Sequence, residues 1–204
     1  MNRRCVAAGS VVAAFGLLVG CSSPAGAPRT NPKPPVPTFS TSARPTSVPV
    51  GTTPPKSCDS VGAAADIDKI VGHALAGAAN QVVGVAMTSI ARTARLDCYY
   101  GVPDGQPRSA AVLTIAVSTY ADPQSAQARV TSTADDARAA GATVSTVKVD
   151  SAPATLMVSQ QSQALALAVG TRTVAVTTNT GVLPQGNDTP QLTALARLGL
   201  AAHA

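Results

Sequence analysis

The stretch that decides the fold is AAVLTIAVSTYADPQSAQARVTSTADDARAAG, residues 110–141. Its first third alternates. Leu113, Ile115 and Val117 face one side and Thr114, Ala116 and Ser118 the other, which predicts a β-strand over 110–120. Asp122-Pro123 then marks a helix start, with proline at the first helical position, where its missing N–H costs nothing. Ala126, Val130, Ala134 and Ala137 recur at helical spacing, and the helix closes near Gly141.

On the C-terminal side, three or four strands follow: Thr143–Val149, Thr155–Ser159, Ala164–Val169 and Thr173–Thr178. Gly170-Thr171 reads as a hairpin turn between the last two. Asn187-Asp188-Thr189 caps a terminal helix that carries Leu192, Leu195, Ala196 and Gly199. On the N-terminal side, Gly105-Gln106-Pro107 is a turn and Asp97–Tyr100 a short strand ending at Gly101. Residues 82–91 fit neither period. Ile67, Ile70, Val71, Ala74 and Leu75 predict a helix over 66–75, with Asp66 capping its start and Gly77 ending it.

Helix, strands, helix, strand meander, helix is the order of an α+β domain: an antiparallel β-sheet with helices packed on it, in one domain over 57–204. Leu165, Leu167 and Val169 oppose Ala164, Ala166 and Ala168, and neither face of these strands carries charge. The small-residue face is therefore expected to be covered, by a helix packed close or by a ligand. Helix 122–140 carries the alanine stripe that close packing requires.

No pattern of catalytic residues emerges. The chain lacks Gly-x-Ser-x-Gly, His-Glu-x-x-His, a Walker loop and Gly-x-Gly-x-x-Gly, and it contains no glutamate. Its two histidines are His73, off the apolar stripe of its helix, and His203, penultimate. Asp66, Asp68, Asp135 and Asp136 read as capping and solvated positions rather than metal ligands, since Ca²⁺ takes six or more oxygens. Catalytic residues, metal and cofactors are all expected to be absent. Of Tyr99 and Tyr100, one is expected to pack inward near Cys98 and the other to face a surface site.

The N-terminus has the layout of an exported chain. Arg3 and Arg4 precede an apolar run from Cys5 to Leu18, too short for a span of about 20 residues but suited to a signal peptide over 1–20. Leu18-Val19-Gly20-Cys21 resembles the lipobox of bacterial lipoproteins. That resemblance implies cleavage before Cys21 and a diacylglyceryl group on its sulfur, anchoring the chain to the outer side of the cell membrane; two or three acyl chains hold firmly. From 21 to 56 the chain reads as a disordered Pro/Thr/Ser-rich tether, holding ten of the sixteen prolines. Extended at ~3.1 Å per residue, it would reach on the order of 100 Å. Its composition also resembles O-glycosylated stalks.

With Cys5 discarded and Cys21 lipidated, Cys58 and Cys98 remain, and two cysteines in an exported domain predict one disulfide. The net charge of +5 likewise belongs to the N-terminal part: residues 57–204 hold nine Lys/Arg against ten Asp. A domain of charge −1 excludes nucleic acid as a partner on electrostatic grounds.

A lipobox, a Pro/Thr stalk, Ser57-Cys58-Asp59, a helix ending near Gly72 and Cys98-Tyr99-Tyr100 before a long strand together form a layout. It resembles that of the small lipoproteins of mycobacteria and related actinobacteria grouped as a domain of unknown function. In those, the residue after the second cysteine is often Trp; here it is Tyr99. The extracellular sensor domains of mycobacterial receptor kinases are similar in size and element order, but typically hold two disulfides. Glycolipid-carrying lipoproteins of the same envelope use a half-barrel with a large apolar cavity. The expectation is a non-enzymatic, lipid-anchored binding or sensor-like module with an envelope protein, a small molecule or a lipid as ligand. The alternative is a lipid or glycolipid carrier, which needs a pocket of several hundred Å³ between sheet and helix.

Overall fold

The computed structural model describes residues 54–184 and 188–202. In chain order the elements are α1 (Ala64–Val71), β1 (Ala78–Gly84), β2 (Arg92–Val102), β3 (Leu113–Tyr120), α2 (Pro123–Ala139), β4 (Thr143–Val149), β5 (Ala152–Val158), β6 (Ser162–Val169), β7 (Arg172–Asn179) and α3 (Asp188–Ala201). The strands form one sheet in the order β1-β2-β3-β7-β6-β5-β4, and every neighbouring pair is antiparallel. After the first meander, α2 carries the chain to the far edge. The second meander then returns until β7 pairs with β3. The α+β class expected from the sequence is the one observed.

Asp122 accepts a hydrogen bond from the Ser125 N–H at 2.7 Å, with Pro123 at the first helical position, so α2 starts where the sequence places it. That bond, and a second from the Ser125 hydroxyl, favour the ionised carboxylate and hold the Asp122 pKa below its usual value. Its Ala126, Val130 and Ala134 are buried as the stripe requires.

The two sheet faces divide as read. On one, Leu96, Cys98 and Tyr100 of β2 lie beside Leu113, Ile115 and Val117 of β3, and these beside Val174 and Val176 of β7. Ile67 and Val71 of α1 and Leu192, Leu195 and Ala196 of α3 complete this core. On the other face Ala116, Ala175 and Ala166 form one lateral row across β3, β7 and β6. Val130 of α2 packs with Ala166 and Met157 there, so a helix covers the small-residue face.

Arg172 at the start of β7 is 1 % exposed, and its Nη1 donates to the carbonyls of Leu200 and Ala202 at 3.1 and 2.7 Å. A cation thus satisfies carbonyls that the end of α3 leaves open, where the helix dipole favours positive charge. Burial pulls the Arg172 pKa below its ordinary value.

Several boundaries differ from the sequence expectation. Helix α1 begins at Ala64 with Ala63 as N-cap and ends at Val71, because Gly72 takes φ +89° and its N–H returns to Asp68 O. Asp66 is therefore inside the helix, and Ala74, Leu75 and Gly77 lie beyond it. The strand read at 97–100 runs over 92–102, and the unassigned region 82–91 holds the end of β1 and a 3-10 turn at Thr88–Ile90. Strand β1 went unread because it is an edge strand exposed along most of its length, with no burial alternation to leave a period. Pro55 is buried, so packing begins before the boundary placed at 57.

Candidate functional site

The disulfide between Cys58 and Cys98 joins the turn before α1 to β2, with Cα atoms 5.5 Å apart. Tyr100 is buried in the same core and donates to the Gly62 carbonyl at 3.2 Å. Burial, with a smaller contribution from Asp59, pushes its pKa up to about 12. Tyr99 lies on the opposite face and is half-buried, so the two tyrosines divide as alternation predicts.

The acidic positions have structural partners. Asp66 pairs with Lys69, Asp135 pairs with Arg138, and Asp68 accepts from the Leu75 N–H at 2.9 Å. His73 is exposed, on the turn after α1. Its Nδ1 lies 3.0 Å from Ala74 O and its Nε2 2.9 Å from Val182 O. Only an imidazolium donates from both nitrogens, so these carbonyls, Ala74 first, raise the His73 pKa. Among the described residues, no group of three or more His, Cys or Asp side chains is placed to hold a metal ion. Leu18, Val19, Gly20, Cys21, Cys5, Asn187 and His203 lie outside the described residues, as does the tether through residue 53.

The feature with the geometry of a binding site lies on the small-residue face that the sequence marks for cover by a helix or a ligand, beside arginines that carry no signal in the sequence. Where α2 leaves the small-residue face toward β2 and β3, a hollow of about 120 Å³ remains. Arg92 and Arg95 of β2 enter it from one side, and Arg129 and Thr133 of α2 from the other. Ser118 and Thr173, adjacent across β3 and β7, lie in its floor beside Ala116 and Ala175. Arg95 Nε donates to Asp97 at 2.7 Å. No ion pair or side-chain hydrogen bond of Arg92 or Arg129 occurs among the described residues, and Arg92 Nε is buried without a partner.

A β-bulge brings the two β2 arginines together. Residues 92 and 95 are an odd number apart and would face opposite sides of a regular strand. The register shifts between Arg92 and Ala94, so that Arg92 opposes Tyr120 and Arg95 opposes Ser118, both on the α2 side.

Arg129 also borders a second, more open hollow of about 400 Å³, lined by Thr88, Ser89, Ser125 and Ser132. A third, of about 270 Å³, is mainly apolar and lies at the C-terminal end of α2 beside Ala137, Met157 and Ala164.

No family model matches the chain, and comparison with curated proteins finds no significant match. Among solved structures, the chain is similar to the extracellular domain of PknH from Mycobacterium tuberculosis, at a TM-score of 0.42 and 12 % identity over 74 % of this chain and 97 % of that one. A likeness of that size carries no argument about function.

Proposed function

We propose that this chain is a lipid-anchored, extracytoplasmic binding or sensor-like module of the cell envelope, non-enzymatic, whose ligand site is the hollow between α2 and strands β2, β3 and β7. The observation that carries the reading is that hollow itself. Polar and charged side chains from a helix and from neighbouring strands converge there on a concavity of about 120 Å³, on a scaffold stapled by a disulfide. Convergent polar groups in a preformed concavity are the usual form of a small-molecule site. The address comes from Leu18-Val19-Gly20-Cys21 and the proline-rich segment behind it, and a disulfide suits an oxidising compartment. The three arginines and the hydroxyls of Ser118 and Thr173 favour a small polar ligand in this hollow, while the mainly apolar hollow of about 270 Å³ beside Ala137, Met157 and Ala164 is the one that would suit the lipid-carrier alternative.

Two measurements test this. Cys21→Ala, expressed in an actinobacterial host, is expected to move the protein from the membrane fraction to the medium; retention in the membrane defeats the anchor. Titrating the ¹⁵N-labelled full chain with a small-molecule extract of the envelope is expected to shift amides around Ala116, Thr133 and Ala175. Shifts confined to other surfaces defeat the assignment of the site.

A further inference from the structure

We infer that the hollow under α2 is an oxyanion site that takes a phosphate monoester, which deepens the binding-module reading and rests on it. Residues 57–204 carry nine Lys/Arg against ten Asp, yet three of those nine cations line one cavity of about 120 Å³. Like charges held together cost free energy unless an anion joins them. Among the described residues, the one acid paired with these arginines is Asp97, engaged by Arg95. Among the described residues Arg92 and Arg129 have no such partner, and the buried Arg92 Nε is an orphan donor of the kind a ligand oxygen satisfies. Guanidinium groups present planar, paired donors that match phosphate oxygens, and the hydroxyls of Ser118 and Thr173 add neutral donors in the floor of the same space.

The size of the hollow suits a compact group rather than an extended chain. The ester substituent has a place to go. Arg129 borders both the arginine-lined hollow and the adjoining one, whose hydroxyls at Thr88, Ser89 and Ser132 suit a polar substituent. The same chemistry belongs to a soluble phosphate ester and to a monoester lipid headgroup.

The test titrates the ¹⁵N-labelled full chain with inorganic phosphate and with glycerol 3-phosphate. Saturable shifts are expected at amides around Ala116, Ser118, Thr133 and Ala175, with glycerol 3-phosphate also moving Ser89 and Ser132. Arg92→Gln and Arg129→Gln are each expected to weaken binding tenfold or more with the free spectrum otherwise retained, whereas Lys69→Gln leaves it unchanged. Flotation of the Cys21→Ala chain with phosphatidylcholine vesicles, with and without phosphatidic acid, separates the sources. Capture by phosphatidic acid that Arg129→Gln abolishes supports the headgroup, and soluble binding without capture supports the free ester. Equal, non-saturating shifts at scattered cations, or unchanged affinity in both arginine variants, overturn the anion site. If the envelope extract shifts the hollow while phosphate and its esters do not, the anion class fails and the binding site stands. If neither shifts it, both readings fail.

Discussion

At Tyr100, burial, a hydrogen bond to Gly62 O and the charge of Asp59 act in one direction: all favour the neutral phenol. The folded pKa of about 12 lies above the ordinary value of 10.0. The unfolded chain therefore releases its proton first as pH rises. This contribution is fully present below about pH 10 and is lost progressively toward about pH 12. Tyr100→Phe is expected to cost about 1 kcal/mol at neutral pH, from the unpaired Gly62 carbonyl, and to flatten the decline in stability above pH 10. Urea unfolding at several alkaline pH values checks this. Parallel declines in both proteins would remove Tyr100 as the cause. At Cys98, Tyr99 and Tyr100, strand alternation was legible in the sequence. At Arg92 and Arg95 simple alternation would put the two on opposite faces, and the bulge that puts both on one face has no residue signature in Arg-Thr-Ala-Arg.

Among the elements, α3 depends on one close approach. A Cβ at Gly199 would lie 2.6 Å from Val174 Cγ1 and 3.5 Å from Ile115 Cγ2, both fully buried and β-branched. Gly199→Ala gains helix propensity of about 1 kcal/mol but overpacks a stiff neighbour at a cost of about 1–3 kcal/mol. A net loss of up to about 2 kcal/mol is expected in denaturant unfolding; a rise in stability would show that α3 shifts freely. Helix α2 was read with its start and stripe intact, since a cap, a proline and a 3.6-residue period are all local signals. Strand β1 had none of these. It is paired on one side only, and its exposed Val83 carries no alternation.

Across the whole molecule, the Cys58–Cys98 bond closes a separation of 40 residues and ties the N-terminal turn to the second strand. In the chain-entropy account, opening it costs roughly 3–4 kcal/mol. The Cys58→Ser, Cys98→Ser double variant is expected to lower the urea midpoint accordingly, and an unchanged midpoint would leave the bond without a stabilising role. The amino-acid sequence by itself determined the α+β class, the two unlike sheet faces and the element signals at Asp122, Pro123 and Gly170, because burial period and backbone preference are written residue by residue. Only the tertiary structure decided that β7 joins β3, that β1 is an edge, and that Arg92, Arg95 and Arg129 share one hollow. Backbone hydrogen bonds do not encode their partner strand, and residues 34 apart, such as Arg95 and Arg129, meet only once the sheet and α2 are assembled.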